Sequence, residues 1–508
     1  MKTCGDIVLI NGKEYVLGKE IGGGLEGKVF EIEALPNYVI KLLNTSKLTN
    51  KDIDDSIRHL KWLKEIVGKN PELMQKLAVP KALIDNELGY VMVKASAHKD
   101  LKTYITFPQG EQEFTEWYKE NYKLKKRLQI IAYMFNALEL IHISGLVFTD
   151  LSPNNIMVND DKNNLVFIDT DNMRRRSDAY ISVLGTEGYM APEVYHYLDK
   201  TIETKLKELN IDQNILSNSG KLTVDSDVFS AAIIAFQLLT LQHPFIGDKV
   251  EEGTADEETN AYHCQTDYIL TDNTDNFSSN PFVQLLQNEG IATTKIKDLF
   301  KRTFVNGKDN PMVRPTAIEF YEAFSEAIDM VAKCPDCSTE LLYRVDADNK
   351  CWDCDTVIPK KTYLQIFNVF EERDRNKLVS QIVGSDLGDI SASLDNRFLM
   401  ISQMVLNENE NKVLYLRHFE KTNKRSSQYA IINLLSESAG TAEILVRDST
   451  VITDCSLRER KTGKLIPISN TAKAYQFSVE NYVVMFEITD SRLGKVSTIG
   501  CFYRGESK

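Results

Sequence analysis

Hydrophobic and polar positions alternate with a period of two in several short runs of the first part of the chain. One longer stretch, near 53–67, instead repeats its apolar positions at helical spacing. Alternation is typical of half-buried strands, and the longer period is typical of an amphipathic helix. The alternating runs are Tyr15–Ile21, Val29–Glu33, Tyr38–Leu43 and Gly89–Ala95. The segment 12–95 therefore predicts a small sheet with one helix packed on it.

From Leu124 to about Val331 the pattern becomes mainly helical. One helix of about twenty residues has an apolar face at helical spacing. That face is made of Ile130, Ile131, Met134, Leu138, Leu140 and Ile141. Two insertions interrupt the pattern, a mixed one at 201–222 and an acidic one at 248–280, and we expect the acidic one to be a mobile loop. A helical lobe is therefore expected after the sheet lobe.

The last third of the chain returns to alternating, β-type runs separated by polar turn sequences. These runs are Phe398–Leu406, Val413–Phe419, Tyr429–Leu434, Ala442–Arg447 and Tyr482–Ile488. The tail therefore predicts an all-β domain, for which an ordinary interaction sandwich is the simplest interpretation. A phosphopeptide-binding sandwich of forkhead-associated type is the alternative, based on the run Gly384–Ile390.

Composition and charge narrow the classes of protein. A chain of 508 residues has room for about two to four domains. The net charge of −13 disfavours a general nucleic-acid coat, and the tail 360–508 has 21 basic and 18 acidic residues, too even a balance for a strong phosphate-binding surface. The first residues lack a secretory pattern, and the longest apolar runs, such as Ala231–Leu239, are too short to span a membrane. We therefore expect a cytoplasmic protein with no membrane span.

A glycine-rich run lies between two of the predicted strands. Gly22, Gly24, Gly27 and Val29 fit the pattern GxGxxGxV, and Lys41 closes the next apolar strand. Glycines let a hairpin lie close over a polyphosphate, because a side chain there would hold the backbone amides away. Alone, the run is as well explained by a plain glycine turn, and the lysine by an exposed strand end.

The stretch from Leu146 to Val158 decides between these interpretations. Asp150 and Asn155 have the spacing of HRDxxxxN, and Asp169 opens a DTD triplet where DFG is expected. With these motifs the chain resembles the eukaryotic-type Ser/Thr protein kinases, in a bacterial branch with DLSPNN and DTD variants. Further matches follow in the expected order: Gly185-Thr186, Ala191-Pro192-Glu193, Ser226–Ser230, His243-Pro244-Phe245 and Arg314-Pro315-Thr316. The resemblance covers about 12–330 and implies a bilobal α+β fold.

The resemblance also implies a role for each matched residue. Gly22, Gly24, Gly27, Val29 and Lys41 would bind ATP. Asn155 and Asp169 would hold Mg²⁺, a hard ion that prefers oxygen ligands, and Asp150 would accept the proton of the substrate hydroxyl. Glu65 is the expected helix acid that pairs with Lys41, with Asp54 and Asp55 as rivals and a solvated acid as the plain alternative.

Several positions depart from the pattern of the family. Thr149 replaces the arginine before Asp150, so we expect activity without phosphorylation of the activation segment. Arg174-Arg175-Arg176 is a candidate substitute socket for phosphorylated Ser177, Tyr180 or Ser182, although three adjacent arginines are more often a solvated basic turn. Ser152 replaces a lysine, which removes a countercharge and predicts a slow enzyme or a substitute cation. Asp171 is either an extra metal contact or a turn cap, and Thr186 favours serine or threonine as the acceptor.

Four cysteines form two CxxC pairs separated by thirteen residues: Cys334 and Cys337, then Cys351 and Cys354. This spacing predicts a closed tetrahedral Zn²⁺ site with a structural role, rather than two redox pairs.

The sequence thus predicts three domains: a kinase domain at 1–330, with its lobes at about 12–95 and 96–330, a zinc ribbon at 331–359, and a β-rich domain at 360–508. The expected function is transfer of the ATP γ-phosphoryl group to protein substrates, with the tail recruiting or regulating through a phosphoprotein or another partner. The alternative is a pseudokinase scaffold that binds nucleotide weakly and acts through its C-terminal domains.

Overall fold

The structure is a computed structural model that describes most of the chain. The described residues are 2–24, 27–46, 48–107, 113–121, 123–160, 164–177, 185–195, 222–345, 347–369, 398–418, 430–447, 452–468, 473–490 and 494–504. The run Gly384–Ile390 and most of the insertion 201–222 lie outside these residues. The chain divides into two compact units: Met1–Tyr122 with Gln129–Gln287 and Thr294–Tyr321, and Lys123–Leu128 with Asn288–Thr293 and Glu322–Lys508.

A six-stranded antiparallel sheet opens the first unit, in the order β1-β2-β3-β4-β6-β5. Its strands are β1 (Ile7–Ile10), β2 (Lys13–Gly23), β3 (Gly27–Ile32), β4 (Tyr38–Leu43), β5 (Ala82–Leu83) and β6 (Gly89–Val93). Side chains on alternate positions of a strand face opposite sides of the sheet. On one side Leu17, Phe30 and Ile40 form a buried core, as the alternation of the sequence predicts.

Helix α1 (Asn50–Gly68) packs on the other side of this sheet, and the short α2 (Pro71–Met74) follows it. Thr49 and Asp52 form a capping box that satisfies backbone N–H groups at the start of α1. Leu60 of the helix shares a hydrophobic cluster with Val39 of β4 and Tyr90 of β6. Packing of this apolar stripe fixes the helix against the strand that carries Lys41.

From Lys99 to Asp329 the chain is mainly helical, as predicted, and this stretch includes the segments Lys123–Leu128, Asn288–Thr293 and Glu322–Asp329 of the second unit. The helices are α3 (Lys102–Ile105), α4 (Phe114–Glu120), α5 (Leu124–Ile143), α6 (Val224–Thr240), α7 (Asp248–Glu251), α8 (Ala255–Tyr262), α9 (Pro281–Gln287), α10 (Thr294–Lys301) and α11 (Ala317–Asp329). Short strands lie among them: β7 (Lys99–Asp100), β8 (Leu146–Val147), β9 (Ile156–Asn159), β10 (Asn164–Phe167) and β11 (Arg174–Arg175). They form a three-stranded sheet in the order β10-β9-β7 and the pair β11-β8. Most side chains of α6 are buried, so this helix forms the centre of the lobe.

The acidic segment 248–280 is folded, and the prediction of a mobile loop is wrong. It contains α7 and α8, and Thr254 with Glu257 forms a capping box at the start of α8. The side-chain amide of the buried Asn276 donates to the carbonyl oxygens of Phe245 at 3.0 Å and Asp267 at 2.8 Å. Local caps and these bonds order a segment whose composition alone suggested a loop.

The second unit is β-rich. Its strands are β12 (Val331–Lys333), β13 (Glu340–Leu342), β14 (Asn349–Lys350), β15 (Val357–Ile358), β16 (Thr362–Val369), β17 (Phe398–Val405), β18 (Asn411–Leu414), β19 (Ala430–Ser436), β20 (Thr441–Val446), β21 (Ile452–Glu459), β22 (Leu465–Pro467), β23 (Tyr475–Ser478), β24 (Tyr482–Asp490) and β25 (Gly494–Arg504). The first four form two small hairpins. The others form two sheets, in the orders β17-β16-β25-β24-β21-β22 and β18-β19-β20-β23.

One hydrophobic core joins these two larger sheets. Ile366 and Phe486 come from the six-stranded sheet, and Ile432 and Ile444 from the four-stranded sheet. The later part of the chain is therefore β-rich, as its alternating pattern predicts. Within the described residues, no helix is long and apolar enough to cross a membrane.

Candidate active site

Lys41 lies in the middle of β4, directly opposite Val29 of β3 and Tyr90 of β6. The alternation of the strand places Val39 and Lys41 on the face that meets α1, and Ile40 and Leu42 on the other face. The lysine side chain is only 4% exposed. A buried ammonium group requires anionic partners, because desolvation of an unpaired charge is costly.

Two carboxylates meet Lys41. Its Nζ lies 2.8 Å from Oδ1 of Asp171 and 3.2 Å from Oδ1 of Asp169. The hydroxyl of the fully buried Tyr90 donates to the same Oδ1 of Asp171 at 3.0 Å. The structure thus brings the predicted Lys41 and Asp169 together, and adds an acid that was not assigned to this pair.

The acids expected on α1 lie elsewhere. Glu65 is 71% exposed and accepts from Lys69 at 2.8 Å, one helical turn further on. Asp55 pairs with Arg58 on the exposed face, and Asp54 is exposed as well. The structure therefore does not have the expected pairing of Lys41 with Glu65, because α1 turns Glu65 towards solvent.

Asp169 opens a 3₁₀ turn that spans Thr170–Asn172. Its backbone is in the left-handed region with φ of 52°, which directs the chain sharply out of β10. Thr170 is fully buried, and its hydroxyl donates to the carbonyl oxygen of Ala78 at 3.0 Å. This hydrogen bond anchors the turn at the position where the family has a phenylalanine.

Asp150 and Asn155 are joined directly. The Asn155 amide donates to the carbonyl oxygen of Asp150 at 2.8 Å and to its Oδ2 at 3.2 Å. Thr186 donates to Oδ1 of Asp150 from its backbone N–H at 2.8 Å and from its hydroxyl at 2.9 Å. The backbone N–H of Ile168 donates to the carbonyl oxygen of Asn155 at 2.9 Å, which links this pair to the segment that carries Asp169.

A further acid, Asp227, binds the backbone of the segment just before Asp150. Asp227 of α6 is buried, and it accepts the backbone N–H groups of Phe148 at 2.8 Å and Thr149 at 3.1 Å. His142 Nε2 lies 3.1 Å from the same carboxylate. The backbone before Asp150 is therefore fixed by a buried helix, which limits movement of the catalytic candidate.

The glycine run forms the turn between β2 and β3. The N–H of Gly24 donates to the carbonyl oxygen of Gly27 at 2.9 Å, and Gly22 lies opposite Val29. A side chain at Gly27 would collide with the Leu42 carbonyl oxygen, so only glycine fits this close approach of strands. Leu25 and Glu26 lie outside the described residues.

Two features that the sequence analysis singled out, Ser152 and the run Arg174-Arg175-Arg176, are placed as follows. Ser152 is fully buried, and its hydroxyl has no hydrogen-bond partner in the described part of the chain. Arg174 Nη1 donates to the carbonyl oxygen of Asp171 at 3.0 Å, and Arg175 stacks over Trp62 of α1 at 4.8 Å from the ring centre. Ser177 is exposed, whereas Tyr180 and Ser182 lie outside the residues described.

The four cysteine sulfurs form one cluster in the second unit, with all of them within 4.8 Å of one another. Cys334 and Cys354 are 3.5 Å apart between sulfurs, and so are Cys337 and Cys351. Tight turns bring each pair together, because the N–H of Ser338 bonds back to the Cys334 carbonyl and that of Asp355 to the Cys351 carbonyl. The predicted convergence of the two CxxC pairs is present.

Sequence reasoning missed the contacts of Asp171, Tyr90 and His59. The second acid of the DTD triplet, Asp171, stands out in the sequence, but it was interpreted as a metal contact or a turn cap. Tyr90 and His59 carried no signal, because a strand tyrosine and a helix histidine are ordinary core and surface residues.

Comparisons with known proteins agree with this geometry. A family model for the protein kinase domain matches residues 15–323, more than half of the chain. The chain is 23% identical over 251 residues to the dual specificity protein kinase TTK of Mus musculus, covering 48% of this chain and 26% of that protein. It is 23% identical over 244 residues to calcium-dependent protein kinase 27 of Arabidopsis thaliana, covering 46% and 43%.

A bacterial protein is also similar. The probable serine/threonine-protein kinase pknA2 of Bifidobacterium longum is 27% identical over 131 residues, covering 25% of this chain and 14% of that protein. The chain thus spans less than half the length of each of these relatives.

Proposed function

Because the chain belongs to the protein kinase family, we propose that it transfers the γ-phosphoryl group of ATP, with Mg²⁺, to serine or threonine hydroxyls of protein substrates. The observation that carries the proposal is the meeting of Lys41 with Asp169, which are 128 residues apart in sequence. A cation and an acid held together, with the lysine beside the strand that follows the glycine turn, suit a phosphate and its metal ion.

The roles proposed for the residues follow from charge and donor type. Lys41 and the turn of Gly22, Gly24 and Gly27 would hold the phosphates, with Val29 beside them. Asp169 and Asn155 offer the hard oxygen donors that Mg²⁺ prefers, and the ion would neutralise charge on the phosphate oxygens. Catalysis of phosphoryl transfer is mostly positioning and countercharge, so a preformed set of side chains is the main requirement.

Asp150 is proposed to orient the substrate hydroxyl and accept its proton. Both of its carboxylate oxygens already accept hydrogen bonds from Asn155 and Thr186, so its orientation is fixed before a substrate binds. Thr186 next to Asp150 supports serine or threonine as the acceptor. The name of the similar Bifidobacterium longum protein, a probable serine/threonine-protein kinase, agrees with this assignment at 27% identity.

A radiolabel transfer assay tests the proposal. The wild-type chain and Asp169→Ala are incubated with γ-labelled ATP, Mg²⁺ and a generic protein substrate. Wild type should transfer label and Asp169→Ala should not, while Asp272→Ala, which removes a 90% exposed acid of the same unit, should match wild type. Equal label in wild type and Asp169→Ala would reject the enzyme and favour a pseudokinase scaffold.

We propose further that Cys334, Cys337, Cys351 and Cys354 hold one structural Zn²⁺. A tetrahedral site with zinc–sulfur bonds of about 2.3 Å has sulfur–sulfur edges of roughly 3.8 Å, and the 3.5 Å separations agree with that size. Four thiolates leave no open coordination position, so the ion would stabilise the fold.

The proposed domains are the kinase domain at 1–330, the zinc ribbon at 331–359 and the β-rich domain at 360–508. The β-rich domain is proposed to recruit substrate or to regulate the kinase through a phosphoprotein or another partner. Two sheets around one core supply the rigid surface that such a role requires.

A further inference from the structure

Among the residues that the structure describes, Asp171 is the acid closest to Lys41. Its Oδ1 lies 2.8 Å from Nζ, against 3.2 Å for Oδ1 of Asp169. The Asp171 side chain is 8% exposed, whereas that of Asp169 is 36% exposed. Tyr90 fixes the same oxygen of Asp171 from β6. The two acids of the turn therefore differ: Asp171 is enclosed with the lysine, and Asp169 is more exposed to solvent.

We propose that Asp171 is the positioning residue of Lys41 and replaces the acid that was expected on α1. The proposal rests on the proposed kinase function and assigns a residue that the family pattern does not. Asp171 stays with Lys41, which leaves the more exposed Asp169 available for Mg²⁺. One 3₁₀ turn thus supplies both the lysine partner and the metal ligand.

Helix α1 contributes neutral contacts in place of a carboxylate. His59 Nε2 lies 3.0 Å from the Asp171 carbonyl oxygen and 2.9 Å from Arg174 Nη1. Burial, and then the charge of Arg174, lower the pKa of His59 to about 4, so the ring is neutral near pH 7. Trp62 of the same helix stacks against Arg175. The helix therefore packs on the segment after Asp169 without supplying the charge that Lys41 needs.

The position of the lysine consequently depends on the turn and not on an acid of the helix. Thr170 anchors the turn to Ala78, and the Thr149 hydroxyl donates to the carbonyl oxygen of Asn172 at 2.9 Å. A rotation of α1 would break the contacts of His59 and Trp62, but it would leave the carboxylate of Asp171 beside Lys41.

The test compares Asp171→Asn, Asp171→Glu and Glu65→Gln in the full chain. Asp171→Asn keeps the shape and removes the charge, and we expect kcat to fall on the order of 10²-fold with a smaller change in KM for ATP. Asp171→Glu keeps the charge and should recover part of the loss. Glu65→Gln changes the exposed acid of α1 and should match wild type.

A second measurement does not depend on activity. Nucleotide-free protein is treated with an amine-selective acylating reagent, and modification of Lys41 is followed by mass spectrometry. Loss of its nearer partner should make Lys41 several-fold more accessible in Asp171→Asn, and Asp169→Asn should change it less. Thermal melting of each variant reports whether it is folded.

The possible results separate the hypotheses. The proposal would be overturned if a folded Asp171→Asn protein had the kcat of the wild type and the same extent of Lys41 modification. A defect that is cured by higher Mg²⁺ concentration would overturn it too, in favour of Asp171 as a metal ligand. Absence of transfer by the wild type would reject the kinase function instead, and the acylation result would still decide whether Asp171 holds Lys41.

Discussion

The hydroxyl of Thr149 donates a hydrogen bond to the carbonyl oxygen of Asn172 at 2.9 Å. Thr149 has φ of 76°, a strained conformation for a β-branched residue, and its backbone N–H is held by Asp227. A neutral bond thus joins the loop of Asp150 to the turn of Asp169. An arginine at this position would have introduced a buried or half-buried cation that needs a phosphate or a carboxylate.

Activity should not require a phosphorylated activation segment. Because the connection made by Thr149 is neutral, no phosphate is needed to neutralise a cation beside the catalytic loop. Purified protein treated with a broad-specificity phosphatase, and verified by intact mass, should transfer label at the rate of untreated protein. A loss of turnover that returns after rephosphorylation would contradict this and would point to Arg174, Arg175 and Arg176 as the socket.

Arg314 should contribute strongly to the stability of the first unit. Its side chain is 0% exposed, and it makes two bonds to the carboxylate of Glu193, at 2.7 and 2.8 Å, and one to the Gly307 carbonyl oxygen at 2.8 Å. Arg314→Ala removes the buried guanidinium that binds Glu193 and the Gly307 carbonyl oxygen, but Glu193 is 29% exposed and keeps the hydrogen bond from the Ser226 hydroxyl. Breaking a fully buried pair costs about 3–5 kcal/mol, so we expect a loss near the lower end of that range. Urea unfolding should therefore show a large decrease in the free energy of unfolding.

An exposed pair provides the matched control. Arg302 and Glu319 form an ion pair at 2.6 Å, but their side chains are 42% and 39% exposed. Exposed pairs contribute about 0–1 kcal/mol, so Arg302→Ala should be nearly neutral. Equal destabilisation by the two substitutions would show that burial of Arg314 is not the source of its effect.

Removal of one thiolate should abolish zinc binding at the proposed site of the second unit. Cys337→Ser is expected to lose Zn²⁺, because serine is a poor ligand for an ion held by four sulfurs. Zinc binding contributes on the order of 10 kcal/mol to the folding of small zinc domains, so hydrogen exchange should rise in the hairpins at 331–359. Cys4→Ser changes an exposed cysteine outside the cluster and should retain the metal. A wild-type protein purified without zinc that also fails to bind added zinc would contradict the proposed site.

The sequence predicted strands and helices well where a single local pattern of hydrophobic and polar residues defines the element. The run Phe398–Leu406 agrees with β17 to within one residue, because alternation alone defines a strand. The predicted run Val413–Phe419 ends early, at Leu414, and a 3₁₀ turn follows. His418 of that turn is fully buried, with Nε2 3.1 Å from Asp329. This bond joins residues 89 apart, and no local pattern encodes it.

The surroundings of the buried Asp329 could not be predicted from the sequence. Burial alone would raise the pKa of Asp329, but Arg417, His418 and Lys412 hold it well below its usual range. In sequence these are three ordinary polar residues of a β-rich tail. Their common partner becomes visible only when the tail and the end of α11 are placed in space.

Within the candidate site, motif spacing was enough to assign Lys41, Asp150, Asn155 and Asp169 to one site, but it did not predict the direct contacts of Lys41 with Asp169 and of Asp150 with Asn155. It was not enough for Glu65, because several acids lie along α1 and the rotation of the helix decides whether any of them faces the sheet. Predicting the contact of Asp171 with Lys41 would also have required the backbone conformation of the turn. The burial of Asp171 follows from the φ of 52° at Asp169 and from the anchor of Thr170, neither of which a sequence pattern specifies.

Stability should fall as the pH decreases from about 6.5 to 4, and His243 should account for part of the decrease. His243 is fully enclosed, its Nε2 lies 2.8 Å from the Gly188 carbonyl oxygen, and burial lowers its pKa to about 4 from its ordinary value of 6.5. Between these values the unfolded chain binds a proton that the folded chain does not, so acid favours unfolding, by about 2 kcal/mol between pH 7 and 5.

Urea unfolding of wild type and His243→Asn at both pH values measures this difference. The variant should lose about 2 kcal/mol of the pH dependence, while His59 and His418, whose pKa values are also lowered to about 4, retain the rest. An identical pH dependence in both proteins would show that the buried imidazole of His243 is protonated in the folded chain.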